Sequence, residues 1–276
     1  MPERDTIAAP AGGYVEVASL RAYYESYGDG PPVVCIHTAG MDGSQWRYAA
    51  PEIARAGFRA IALDLPGHGR SDLPAGGPIV SALDFADFVA AFCDALSLSR
   101  VSVVGCSVGG DIALALAIRH GELVERCVAC ACAAMTRGFP DLLLKMGETS
   151  AGAPGWNDMF AENCQASIGG AISPDRLRQL TLWHRHASRE LGNADLRAWN
   201  DFDVRADLGA ISAPVLLIHG AADYFVPADR VQQTADGISG ARAVWLDDVG
   251  HYPMVEDPAG FGDTVVGFLG TEAAMR

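Results

Sequence analysis

Short runs rich in valine and isoleucine alternate with helix-period segments along most of this chain, and that alternation constrains the fold more than any other feature. PPVVCI (31–36), FRAIALDL (58–65), RVSVVG (100–105), ERCVACA (125–131), PVLLIHG (214–220) and RAVWLDD (242–248) read as strands. QWRYAAPEIARAG (45–57), SALDFADFVAAFCDALSL (81–98), SVGGDIALALAIRHG (107–121), DRVQQTADGI (229–238) and AGFGDTVVGFL (259–269) read as helices. Strands joined through crossover helices make an α/β fold with a mostly parallel, twisted sheet covered by helices on both faces. The N-terminal YVEVASLRAYYESYG (14–28) alternates like an antiparallel hairpin, which would cap one edge of that sheet.

Between Thr136 and Asp207 the strand rhythm stops. SPDRLRQLTLWHRHASREL (173–191) opens with a Ser cap followed by Pro and predicts a helix. The division expected is a core domain of residues 1–135 and 208–276 with a helical cap insertion, 136–207. Trp156, Met159, Phe160, Trp183 and Trp199 are more bulk than a small helical piece needs to stay folded. The insertion is therefore read as a lid over the carboxyl edge of the sheet, where open α/β sheets bind ligands.

The turn in GCSVGG (105–110) is the chemical focus. Gly105-Cys106-Ser107-Val108-Gly109 fits G-x-S-x-G between a strand and a helix, a context that holds the central serine in strained backbone geometry at a helix N-terminus. Cys106 flanks that position, and its side chain is expected in the core. A serine hydroxyl needs a base, and the base needs an acid that fixes its tautomer. Among seven histidines, His251 lies in a glycine-preceded loop between the last strand and the last helix. Asp223 follows the strand 214–219, where ordinary turn chemistry is its other role. Asp247 and Asp248 rival it by nearness to His251, but the end of the preceding strand is poorly placed to reach the ring.

Five pieces, CIHTAG (35–40), DLPGHGRSD (64–72), GCSVGG (105–110), IHGAADYFVP (218–227) and GHYPMVEDP (250–258), stand in one order. Through them the chain resembles the α/β-hydrolase superfamily along nearly its whole length, which implies the α/β-hydrolase fold. The resemblance implies Ser107 as nucleophile, Asp223 as acid and His251 as base, with His68 and Asp72 shaping a loop. It also implies an oxyanion hole from the backbone N–H groups of Val108 and Ala39. Where the family usually has glycine after the loop histidine, this chain has Thr38, whose hydroxyl either adds a hydrogen bond to the oxyanion or bonds its own loop. His37 is expected to act as a loop strut.

Serine at the elbow disfavours carbon–halogen and epoxide cleavage, which use aspartate there. The leading expectation is a serine hydrolase of a small carboxylic ester or lactone, acting through an acyl-enzyme. HTAGMDGSQW (37–46) is similar to the matching loop of the 3-oxoadipate enol-lactonase branch. The alternatives are a C–C bond hydrolase of a diketone-type substrate, for which Arg137, Arg185 and Arg189 would clamp a carboxylate, a perhydrolase or haloperoxidase, and a non-hydrolytic small-molecule receptor. Met135, Phe139, Trp156, Phe160, Tyr224 and Tyr252 are the candidate pocket residues, in a mostly apolar pocket.

The chain totals narrow the partners. Across 276 residues, 34 acids against 20 bases give a formal charge of −14, which repels nucleic acid and anionic membrane surfaces. The expected partner is a small-molecule ester or lactone, with a homodimer left open. No metal-ligand spacing or phosphate-binding glycine loop points to a metal or cofactor. Seven cysteines, several inside apolar runs such as CVACACAA, read as buried hydrophobes in a reducing compartment. No export segment is recognised, so a cytoplasmic location is expected.

Overall fold

The computed structural model describes residues 9–136, 144–145 and 155–270. Eight strands form one sheet: β1 (Ala11–Val17), β2 (Leu20–Tyr27), β3 (Pro32–Ile36), β4 (Arg59–Leu63), β5 (Val101–Cys106), β6 (Val124–Cys130), β7 (Val215–Gly220) and β8 (Arg242–Leu246). Their spatial order is β1-β2-β4-β3-β5-β6-β7-β8. The hairpin β1–β2 pairs antiparallel with β4 at one edge, and every other pairing is parallel. This places β5 in the middle of the sheet, so the turn that follows it opens at the centre of the carboxyl edge.

Alternation along the central strands divides the apolar core into two layers. Val34 and Ile36 of β3 and Val101 and Val103 of β5 face one layer, with Phe85, Phe92 and Ile112. Val33, Cys35, Val104 and Cys106 face the other, with Ile53, Phe261 and Val265. The first layer is closed by α2 (Ala82–Ala95) and α3 (Val108–Arg119), the second by α1 (Ala50–Arg55) and α9 (Pro258–Leu269). Each fully buried phenylalanine among them contributes about 2–3 kcal/mol. All seven cysteines are free and buried.

Two expected helices are each divided. Segment 45–57 forms a 3-10 turn, Gly43–Arg47, started by Ser44 N–H donating to Asp42, and only then α1, with Pro51 in its first turn. Proline lacks the N–H that a helix interior needs, so a continuous helix through it is disfavoured. Between β6 and β7 lie α4 (Trp156–Gln165), α5 (Pro174–His186) and α6 (Arg189–Asn200). Ser173 caps α5 as expected, but Ala187 turns extended and Ser188 caps a new helix, α6, by accepting from Leu191 N–H. The chain then adds α7 (Ala228–Gly237) and the short α8 (Pro253–Glu256). Among the described residues no helix is long and apolar enough to cross a membrane.

Candidate active site

Ser107 joins β5 to α3 at φ 57°, ψ −125°, a backbone conformation that non-glycine residues adopt at a cost of about 1–3 kcal/mol. Contact on both sides requires glycine. A Cβ on Gly105 would stand 1.9 Å from the Gly109 carbonyl oxygen, and one on Gly109 would stand 2.4 Å from that of Ile36. Ser107 O accepts from the N–H groups of Gly110 and Asp111, which starts α3, while Ser107 N–H donates to Cys130 O at the end of β6. Cys106 points into the core as expected, its thiol donating to His251 O at 3.2 Å. Burial holds that thiol well above its ordinary pKa, so it stays protonated and is a poor nucleophile.

His251 Nδ1 donates to Asp223 Oδ2 at 2.8 Å. Because a carboxylate only accepts, this bond fixes the proton on Nδ1 and leaves the lone pair of the neutral ring on Nε2. Burial pushes the Asp223 carboxyl up, but the His251 ring and the hydrogen bonds it receives outweigh this and hold it below the usual range. The loop carrying His251 is pinned by Glu256, whose carboxylate accepts from the N–H groups of Gly169, Gly250 and Tyr252 at 2.7, 2.7 and 2.8 Å. Asp248 turns its carboxylate away, to Gly170 N–H at 3.0 Å.

The loop after β3 is set by Gln45. Thr38 N–H donates to Gln45 Oε1, and Gln45 Nε2 donates to Thr38 Oγ1, both at 3.0 Å. A backbone N–H can only donate, so the orientation of the Gln45 amide is unambiguous. Thr38 Oγ1 therefore accepts from it and keeps its own proton for another partner. Thr38 and Ala39 line the same cavity as Ser107 and His251. Among the described residues nothing accepts from the N–H groups of Ala39 or Val108.

The neighbouring Gly40 N–H donates to Asp195 Oδ2 at 2.8 Å. That oxygen also receives His68 Nε2 at 2.9 Å, while His68 Nδ1 faces Pro66 O at 3.1 Å. With an acceptor facing each nitrogen, the surroundings of His68 favour the doubly protonated imidazolium. Burial lowers its pKa, yet the charge and hydrogen bond of Asp195 prevail and raise it. His37 accepts from Leu65 N–H on Nε2 and donates to Thr38 O from Nδ1, and burial pulls it down to about 4, so it is a neutral strut.

The cavity opens to solvent, and its walls are mostly apolar. Phe160 and Tyr252 line it as expected, and Cys164, Leu196, Trp199 and Phe225 join them. Tyr224 does not. Its side chain is 79 % exposed, because the turn held at Tyr224 N–H by Ser167 Oγ sends the next residue, Phe225, inward instead. Met135 sits in a bridge with Asp203, and Trp156 stacks on Phe160 from behind the wall, with ring centroids 5.0 Å apart. Phe139 and Arg137 lie outside the described residues. Arg185 pairs with Asp158, and neither it nor Arg189 lines the cavity. Leu196 and Trp199 sit three apart on α6, a helical spacing that could have singled them out.

A family model described as the alpha/beta hydrolase fold matches residues 31–202. The chain is similar to 2-hydroxymuconate semialdehyde hydrolase of Pseudomonas sp. strain CF600, 29% identical over 273 residues that cover 94% of this chain and 93% of that one. It is 28% identical to pimeloyl-[acyl-carrier protein] methyl ester esterase of Aeromonas hydrophila over 262 residues, covering 89% and 98%. Among solved structures, the enol-lactonase of Burkholderia xenovorans LB400 superimposes with a TM-score of 0.83 at 26% identity, covering 94% of this chain and 100% of that one.

Proposed function

The chain belongs to the α/β-hydrolase fold family, and from that premise we propose that it is a serine hydrolase that cleaves a small carboxylic ester or lactone through an acyl-enzyme. One observation carries the reading: Ser107, held at φ 57°, lines one cavity with His251, whose Nδ1–H is engaged by Asp223. In this proposal Ser107 Oγ attacks the substrate carbonyl carbon as His251 Nε2 takes its proton, and Asp223 steadies the imidazolium. The N–H groups of Ala39 and Val108 and the hydroxyl proton of Thr38 receive the developing oxyanion. His251 then protonates the leaving alcohol, and a water activated by the same nitrogen releases the acid and restores Ser107. The route uses no cofactor.

Phe160, Leu196, Trp199 and Phe225 offer an apolar wall to the acyl or leaving group. In this reading residues 136–207 act as a cap over a core of 1–135 and 208–276. The esterase and enol-lactonase relatives support ester or lactone chemistry. The similarity to 2-hydroxymuconate semialdehyde hydrolase supports a second reading, C–C cleavage of a diketone-type substrate. A panel of p-nitrophenyl esters, lactones and vinylogous diketones, assayed with the wild type and Ser107→Ala, tests both. Ester or lactone turnover abolished in Ser107→Ala, with fluorophosphonate labelling of the wild type alone, is expected. Turnover confined to diketones favours the second reading. Equal turnover by Ser107→Ala, or ligand-induced stabilisation without turnover, overturns both.

A further inference from the structure

Ser167 belongs to the stretch between α4 and α5, yet its hydroxyl and carbonyl both serve the loops that carry Asp223 and His251. The residue is wholly buried. Its Oγ accepts from Tyr224 N–H at 2.7 Å, so its single proton is directed to Asp223 Oδ1, 3.1 Å away. Its carbonyl oxygen accepts from His251 N–H at 2.7 Å. One residue thus touches the acid through its side chain and the base through its backbone.

The surrounding backbone makes this a built contact. A Cβ on Gly250 would lie 2.1 Å from Ser167 O, and one on Gly169 would lie 2.2 Å from Asp248 O, so the two segments run together at a separation only glycine permits. Beyond Ser167, Gly169 N–H donates to Glu256, Gly170 N–H to the Asp248 side chain, and Ala171 N–H to Asp248 O.

We infer that Ser167 is a positioning residue for the Asp223–His251 pair, a role that rests on the hydrolase reading above. Asp223 Oδ1 takes the donors Ser167 Oγ, Phe225 N–H and, at 3.4 Å, Val226 N–H, which leaves Oδ2 to the ring of His251. A competitor stands close by. The Nδ1 of buried His219 has no hydrogen-bond partner among the described residues and lies 3.9 Å from Asp223 Oδ2. Without the Ser167 hydroxyl the carboxylate loses a donor that opposes rotation about its Cβ–Cγ bond, and Oδ2 can shift toward His219. The acid then holds the base in its working tautomer for a smaller fraction of the time.

The test uses the full chain with Ser167→Ala and the near-isosteric Ser167→Cys, whose thiol is a weaker donor. Readouts are kcat and KM on p-nitrophenyl butyrate, the rate of fluorophosphonate labelling, and thermal unfolding. We expect Ser167→Ala to lose about tenfold in kcat, the scale of one hydrogen bond to a charged group. KM should stay near the wild-type value, labelling should slow in parallel, and Ser167→Cys should fall between. Unchanged kcat and labelling rate in folded Ser167→Ala overturn the assignment, as does a rise in KM with kcat unchanged. Should Ser167→Ala fail to fold, the same two criteria apply to Ser167→Cys. A wild type that is neither active nor labelled removes the hydrolase reading itself, and the role of Ser167 with it.

Discussion

His68 and Asp195 meet at 2.9 Å, Nε2 to Oδ2, with side chains 3% and 0% exposed, one on the loop after β4 and the other on α6. The same carboxylate oxygen holds Gly40 N–H, one residue beyond the Ala39 amide proposed to receive the oxyanion. Because the folded-state pKa of His68 is raised, its contribution to stability is fully present below the unfolded value, about 6.5, and is lost as pH rises through the folded value. Thermal unfolding measured across the neutral and mildly alkaline range should show stability falling from this source as pH rises. Asp195→Asn should lose about 3 kcal/mol at pH 6 and flatten that alkaline decline. A variant with the wild-type pH dependence contradicts the charged pair.

Asp223→Asn keeps the size of the side chain but can present an N–H to the ring, which favours the wrong His251 tautomer. Turnover of a p-nitrophenyl ester should fall by about 10⁴-fold with folding retained, since an amide in the place of the orienting acid has that scale of effect. Steady-state kinetics beside a circular-dichroism melt decides the matter. A loss below tenfold would point to another residue as the acid.

Thr38→Val removes the hydroxyl while keeping the shape. If its free proton reaches the oxyanion, kcat should drop by about 100-fold with little change in KM, as for one lost donor. The same change strips Gln45 Nε2 of its acceptor, a stability loss of about 1 kcal/mol readable in the melting temperature. Lower stability with unchanged kcat would confine the hydroxyl to its loop.

Gly109→Ala should destabilise the fold by about 3 kcal/mol, because the added methyl must displace the Ile36 and His37 carbonyls, which it would approach to 2.4 and 2.6 Å. Gly76→Ala is the matched control. A Cβ there meets nothing within 4 Å, so the same substitution should be neutral or stabilise by about 0.5 kcal/mol. Denaturant midpoints of the two variants make the comparison, and equal midpoints would refute the close-contact account of the turn.

The strands of the sheet, the hairpin at one edge and the turn at Ser107 were legible because each is written locally, in apolar period and glycine spacing, whereas the spatial order of the strands is not. The Asp223–His251 contact was also anticipated, from an acid after one strand and a histidine after the next. Ser167, Gln45 and Asp195 were not. Ser167 reaches Asp223 across 56 residues and Asp195 reaches His68 across 127, and no local pattern in CQASIGG or LGNADL marks a side chain whose partner is supplied by tertiary packing. Tyr224 was favoured over Phe225 for the cavity because composition cannot say which of two adjacent aromatics a turn sends inward.

The stitching of residues 167–171 to the loop 248–251 bears on how this architecture can change its substrate. Helices spliced in from a relative to reshape the cavity would also bring, or fail to bring, the contacts that hold the loops of Asp223 and His251. Exchanges confined to α4, or to α6 with Asp195 retained, and with the intervening ribbon left native, should trade selectivity for little loss of rate. Wholesale replacement between β6 and β7 would dismantle the machinery it was meant to redirect.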